Sequence, residues 1–111
     1  MINKLPCLIL KNSRAIVRIT NSEIEDGHEK ILTEWEGRGQ FSQTSKRIQN
    51  KEGIWVPLVG KFYIDEEIAE DVVFSGLISV NGSEFFPFSG KKLLNPDGSF
   101  HHIELEVQAN G

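Results

Sequence analysis

Apolar and polar residues alternate with a period of two along most of this chain, and no other feature constrains its fold as strongly. In "RAIVRIT", Ala15, Val17 and Ile19 fall on one face of an extended strand. In "DVVFSGLISV", Phe74 and Ile78 do the same. An amphipathic helix would need apolar residues three and four positions apart instead. The pattern therefore predicts a series of short β-strands.

Turn residues separate these runs at short intervals: "DG" at 26–27, "GRG" at 37–39, "EG" at 52–53, "NG" at 81–82 and "PDG" at 96–98. Asn81 and Gly82 both tolerate positive φ, so this pair between two alternating runs indicates a hairpin. Evenly spaced short strands favour a small antiparallel β-barrel or a barrel-like sandwich. A barrel is favoured because closure removes exposed sheet edges. The 111 residues are expected to form a single domain, residues 1–111.

Two segments depart from regular alternation. "GIWVPLVGKFYI" is apolar on both faces, and Pro57 within it predicts an edge position or a bend, because proline lacks an N–H. Residues 38–53, "RGQFSQTSKRIQNKEG", are mostly polar. They are predicted to project from the barrel as a hairpin or a loop.

A third unusual segment is "EFFPFSGKK" at residues 84–92, where three phenylalanines lie beside a proline. Phe85, Phe86 and Phe88 cannot all face one core from an extended backbone. Either Pro87 bends the chain and buries all three rings, or one ring is exposed as an anchor for a partner. Both interpretations remain open from the sequence.

The chain carries 12 basic and 16 acidic residues, for a formal net charge of -4. This balance argues against wrapping nucleic acid by neutralising phosphates. The signs are segregated: residues 23–36 and 65–71 are acidic, whereas basic residues cluster at 11–18, 38–51 and 91–92. Segregated charge either serves solubility or lets copies of the chain dock head to tail.

Neither a membrane span nor a secreted, disulfide-bonded protein is expected. No apolar run approaches the ~20 residues that cross a bilayer, and the first residues lack a signal-peptide pattern. The single cysteine, Cys7, has no partner for an internal disulfide.

The residues able to carry chemistry do not form a catalytic set. On the last strand, "SFHHIELEV", His102, Glu104 and Glu106 share a face, and two such side chains could touch a zinc ion. Two ligands do not make a site, and neither HExxH nor GxSxG is present. This face is therefore interpreted as solvated, with its apolar alternates buried. We expect no enzymatic activity, metal, cofactor or small-molecule substrate.

The order of features nevertheless resembles a known family. A basic first strand is followed by "ILTEWEGRGQFSQTSKRIQNKEGIWVPLVGKFYI", a hairpin, and a terminal "NPDGSFHHIELEV" after a basic "KK". This order is similar to small head–tail connector proteins of tailed bacteriophages and prophages of Gram-positive bacteria, also called head-closure or minor capsid proteins. The matching positions are Asn95, Pro96, Asp97, Gly98, Ser99, His101, His102 and Glu104. The resemblance spans the chain from about Arg14 onward, whereas "LPCLILKN" does not match.

The resemblance implies a structural protein that is made in the bacterial cytoplasm and incorporated into the virion. It would assemble as a ring of copies between portal or adaptor and tail proteins, and would help to retain packaged DNA with only transient contact. The candidate subunit or partner contacts are Arg38, Lys46, Arg47, Lys51, Phe85, Phe86, Phe88, Lys91 and Lys92. A rival interpretation is a monomeric ligand-binding or regulatory barrel of a bacterial host. Its apolar cavity would lie among Trp35, Trp55, Tyr63 and the phenylalanines.

Overall fold

The fold consists of antiparallel β-strands, as the alternation predicts. The computed structural model describes residues 11–25, 28–44, 46–49, 52–82 and 84–109, excluding the side chains of 21–25, 28–32 and 48. Within these ranges the chain forms seven strands and no helix. They are β1 (Ser13–Glu25), β2 (His28–Gln43), β3 (Arg47–Gln49), β4 (Trp55–Ile64), β5 (Val73–Val80), β6 (Phe86–Leu94) and β7 (Phe100–Gln108). Cys7 and the predicted turn at 26–27 lie outside the described residues.

Six of these strands close into one ring. The order is β2-β1-β5-β6-β7-β4, and β4 pairs with β2 to complete the circle. Each neighbouring pair in the ring is antiparallel. The short β3 pairs with the first residues of β4 outside the ring. The predicted barrel-like, all-β architecture is confirmed. In an open sheet, the two edge strands would expose unpaired backbone N–H and C=O groups to solvent. Closure pairs these groups with each other.

Side chains from all six ring strands fill the interior. Every second residue of β1, β4, β5 and β7 points inward, as the period-two pattern predicts. Phe62, Ile78 and Leu105 are fully buried. The buried cluster contains Ala15, Val17, Ile19, Phe62, Ile64, Phe74, Ile78, Val80, Phe88, Ile103, Leu105 and Val107. The interior of the barrel is therefore a packed core and not an open cavity.

The glycine pair at 37–39 lies inside β2, so the turn predicted there is wrong. A Cβ atom at Gly39 would collide with the carbonyl oxygen of Tyr63 and with the ring of Phe62. Glycine is required here because strand β4 and a large core ring approach the β2 backbone closely. In this case the residue type signals close packing and not a chain reversal.

The Asn81–Gly82 turn is present, with φ of 53° and 77°, and it connects β5 to β6 as predicted. The first β5–β6 pair is nevertheless Ile78 with Phe86, so the loop is wider than a two-residue hairpin. Beyond that pair, residues 79 and 80 of β5 still pair with β1, up to Val80 with Ala15. Asn81 strengthens that pairing, since its Oδ1 accepts from the backbone N of Arg14 at 3.1 Å.

The antiparallel ring has two ends, which carry different attachments. At one end, residues 65–72 cross the barrel mouth between β4 and β5; we call them the lid, and this end the lid end. At the opposite end, the segment 44–57 connects β2 with the main part of β4 and includes β3, and its residues 45, 50 and 51 lie outside the described ones; we call this segment the ribbon, and this end the ribbon end. Residues 38–43 of the predicted projection belong to the barrel wall instead, because they pair with β1 and β4.

Candidate interaction surfaces at the two ends of the barrel

The lid closes the barrel mouth with apolar residues that sit within an acidic run. Ile68 and Ala69 of "DEEIAED" are half-buried and pack against the core cluster. The segment makes bends rather than a helical turn. In the sequence this run stands out only by its acidic residues, and its packing role was missed. The signal was the apolar pair itself, since a fully solvated acidic loop has no need of it.

Two side-chain contacts hold the first part of the lid. The indole Nε1 of Trp35 donates to Oε2 of Glu66 at 2.7 Å. Lys11 Nζ lies 3.2 Å from Oδ2 of Asp65. The ring of Trp35 also packs against the core, so its polar edge reaches the lid while its apolar body remains covered.

Lys92 anchors the second part of the lid. Its side chain is only 7% exposed, and its Nζ donates to Oε2 of Glu67 at 2.8 Å and to the carbonyl oxygen of Glu70 at 3.0 Å. Its backbone N–H donates to the carbonyl oxygen of Val72 at 2.8 Å. The two oxygens that accept from Nζ replace the water that this nearly buried ammonium group has lost. Without them, burial of its charge would cost free energy. Lys92 thus has an internal role and is not available to a partner in the way the sequence suggested.

A cleft of about 730 Å³ opens between the lid and the barrel mouth. Its apolar surface includes Ile19, Ile68 and Phe74, and its polar side includes Glu67, Glu70 and Asp71. The Glu70 and Asp71 residues are exposed, as are Val72 and Val73, which follow them. The lid end therefore combines exposed apolar groups with negative charge.

The ribbon continues the sheet beyond the barrel by backbone hydrogen bonds. Leu58 N donates to the carbonyl oxygen of Lys46 at 2.8 Å, and Thr44 N donates to that of Val59 at 3.2 Å. A register shift falls between Leu58 and Gly60, directly after Pro57. The position where the proline predicted an edge or a bend therefore lies next to a β-bulge.

The ribbon exposes apolar residues beside basic ones. Ile54 is 55% exposed and Trp55 is 64% exposed. The predicted contact residues Lys46 and Arg47 are exposed on the same ribbon. Lys51 lies outside the described residues, although it belongs to this segment by sequence.

Arg38 does not belong to the ribbon. It is exposed on the wall, where β2 pairs it with Arg14 of β1. The guanidinium of Arg14 forms an ion pair with Glu36. The structure thus places Arg38 on the barrel wall, on a different surface from Lys46 and Arg47.

The three phenylalanines divide between core and surface. Phe88 is 2% exposed and packs edge-to-face with Phe74, at 6.0 Å between ring centroids. Phe86 is half-buried against the core. Phe85 lies under the guanidinium of Arg18, whose Cζ is 4.1 Å from the ring centroid. The rings are therefore neither all internal nor offered as one free anchor, and Phe88 is inaccessible to a partner.

The paired histidines lie near the start of β7, at a β-bulge. Leu93 pairs with His102 and Leu94 with Phe100, so His101 is the extra residue. The bulge brings the two imidazoles together, with 2.6 Å between their Nδ1 atoms. One of these nitrogens must hold the hydrogen while the other accepts it. The turn before the bulge is structural as well: Asn95 Nδ2 donates to the carbonyl oxygen of Phe100 at 3.1 Å.

Charges beside the histidines shift two pKa values. Burial lowers the pKa of His102, the neighbouring His101 lowers it further, and Glu104 opposes the shift. Glu104 accepts from Lys61 Nζ at 2.9 Å, and this hydrogen bond raises the pKa of Lys61. The exposed Lys91 lies across from Glu104 on β6. The two histidines therefore belong to a network of polar side chains on the outer wall of the barrel.

The aromatic residues proposed to line a cavity are separated. Trp35 faces the core and the lid, Trp55 is exposed on the ribbon, and Tyr63 lies on the outer wall, 6.2 Å from the ring of His102. They do not share a cavity. The cleft at the lid end, with about 730 Å³, offers a small ligand a place to bind.

Two kinds of feature are absent from the residues that the structure describes. Among the described residues, no three His, Cys, Asp or Glu side chains converge as a metal site would require. The same residues include no helix that is long and apolar enough to span a bilayer.

Comparison of the chain with family models, curated proteins and solved structures returned no significant match.

Proposed function

We propose that this chain is a structural subunit of a head–tail connector of a tailed bacteriophage or prophage. It assembles with copies of itself as a ring between the portal or adaptor and the tail. The ring sits in the virion at the head–tail interface and helps to retain packaged DNA. The observation that carries the proposal is the opposite character of the two barrel ends, together with the terminal turn-and-strand sequence that resembles this family.

A filled barrel with decorated ends suits an assembly role. The interior is occupied by core side chains, so the chain has little room to enclose a ligand. The ends instead present exposed apolar residues, with Trp55 and Ile54 at one and Val72 and Val73 at the other. Exposed apolar residues grouped together are typical of surfaces that meet another protein.

Charge also supports the proposal. A ring of identical subunits needs heterologous contacts, in which one surface meets a different surface of the next copy. The basic ribbon and the acidic lid are such a complementary pair. A net charge of -4 suits a channel that lets DNA pass without gripping it.

Deletion of the gene from the phage or prophage that carries it tests this function. The expected particles are heads without attached tails that have lost their DNA, accompanied by free tails. Complementation with the wild-type chain should restore tailed, infectious particles that contain the chain, as measured by mass spectrometry. Normal yields of infectious, tailed particles after deletion would refute the connector proposal.

A further inference from the structure

We infer that the ribbon of one copy docks on the lid end of a second copy, with Trp55 seated at the cleft. The inference rests on the proposed function for its place in a ring, but the contact itself is a property of the purified chain. The occupant of the cleft is thus another molecule of the same protein.

Exposed apolar groups at both ends give the first argument. Trp55 is 64% exposed although tryptophan is a costly residue to leave in water. At the other end, Val72, Val73 and Leu94 are 55%, 66% and 49% exposed. Docking of the ribbon on the lid end would remove both groups from solvent at once.

Charge complementarity gives the second argument. The ribbon sequence contains Lys46, Arg47 and Lys51 against a single acid, Glu52. The lid sequence contains five acids and no basic residue. Lys92 engages the carboxylate of Glu67 but only the backbone carbonyl of Glu70. The exposed Glu70 and Asp71 can therefore face the neighbouring ribbon.

The cleft has the size and composition to receive an indole. Its volume of about 730 Å³ lies within the range of about 300–1,000 Å³ that is typical of pockets for organic groups. The buried side chains of Ile19 and Phe74 supply an apolar surface, and the acids stand at its side. A tryptophan on the same ribbon as the exposed Lys46 and Arg47 matches this arrangement.

The same charges disfavour contacts between like ends. Ribbon against ribbon or lid against lid would bring like charges together. Ribbon against lid avoids that repulsion. Two such contacts in one two-fold dimer would require the copies to lie antiparallel side by side, whereas a single ribbon–lid contact leaves one free ribbon and one free lid after each addition. Such a contact propagates head to tail, and it closes into a ring if the rotation between copies allows closure.

Sedimentation equilibrium of the purified full chain, at concentrations up to about 1 mM, tests the inference with two variants. The ribbon variant is Trp55→Ala, and the lid variant combines Glu70→Lys with Asp71→Lys. All three positions are exposed, so both variants should fold; circular dichroism checks this. We expect the wild-type chain to associate, and each variant alone to associate about thirtyfold more weakly.

Mixing the two variants gives the sharpest expected result. One partner retains a working lid and the other a working ribbon, so an equimolar mixture should form heterodimers and nothing larger. Leu77→Ala, which truncates a 37%-exposed residue on the barrel wall, is the matched control and should associate like the wild type. Association should also weaken as NaCl is raised, because exposed charges are screened within about 10 Å at 0.1 M salt.

Three results would overturn the contact: a wild-type chain that stays monomeric up to about 1 mM, a Trp55→Ala variant that associates like the wild type, or a mixture without heterodimers. These failures are distinguishable from failure of the proposed function. If the ribbon–lid contact is absent but deletion of the gene gives particles without tails, the protein is a connector that assembles through another contact. If the contact is present but deletion gives normal particles, the protein self-associates and is not a connector.

Discussion

The lid end and the ribbon end of the barrel use their polar residues in different ways. At the lid end, Trp35, Lys11 and Lys92 bind lid oxygens, and Ile68 packs on the core. At the ribbon end, backbone hydrogen bonds extend the sheet, but Trp55 remains in solvent. The stability of the isolated chain explains the contacts of the lid. It does not explain why the ribbon exposes residues such as Trp55.

This difference shows that segregated charge in a sequence has more than one structural meaning. The acidic run at 65–71 and the basic pair at 91–92 are distant in sequence, yet part of their charge is matched within one molecule, through Lys92 and Glu67. The basic residues Lys46 and Arg47 are instead exposed on the ribbon. We assign their charge to the contact with a second copy.

Truncation of a core ring and of the ribbon tryptophan should separate the two roles most clearly. Phe62→Ala should lower the free energy of unfolding by about 3–5 kcal/mol, because it leaves a cavity in the packed barrel. Trp55→Ala in the dilute monomer should change it by no more than about 0.5 kcal/mol. Urea denaturation measures both. A Trp55→Ala loss comparable to that of Phe62→Ala would mean that the ribbon stabilises its own chain.

Adjacent lysines test the anchoring of the lid. Lys92→Met should lower the free energy of unfolding by about 1–3 kcal/mol, because it removes a donor to two lid oxygens. It should also accelerate amide hydrogen exchange across residues 65–72. The matched control is Lys91→Met, at an exposed position on the opposite face of β6, with an expected change within about 0.5 kcal/mol. Equal effects at the two positions would contradict the anchoring role.

The histidine pair should give a smaller, pH-dependent effect. The pKa of His102 in the folded chain lies below its usual value of 6.5, so the unfolded chain binds more protons as the medium is acidified. Stability is therefore complete above the unfolded pKa and is lost as the pH falls through it toward the folded pKa. Melting temperatures from about pH 7.5 to about pH 5.5 measure the loss.

His102→Gln should reduce that dependence, whereas a variant of the ribbon should not. The groups that face His102 are His101, Glu104 and Tyr63, with Lys61 bonded to Glu104. An unchanged pH profile in His102→Gln would assign the acid sensitivity to another group.

Local pattern was sufficient for the inward faces of the strands but not for contacts between residues that are distant in sequence. Alternation identified inward residues such as Val17 and Leu105, because one face of each strand must be buried. It failed at Gly39, where the approach of Phe62 from another strand decides the residue type. It also missed the contact between Trp35 and Glu66, since 31 positions separate them in sequence. Long-range contacts of this kind depend on strand order, which the pattern alone does not determine.

The environment of Trp55 tests the central claim most directly. The chain has only two tryptophans, so labelling with 5-fluorotryptophan gives two ¹⁹F resonances, and Trp55→Phe assigns them. Solvent-exposed fluorotryptophan shifts when H2O is replaced by D2O. We predict that the Trp55 resonance loses this shift as the wild-type chain associates, but keeps it at the same concentration in the Glu70→Lys, Asp71→Lys variant. A Trp55 resonance that remains fully solvent-exposed in the oligomer would contradict docking of the ribbon on the lid end.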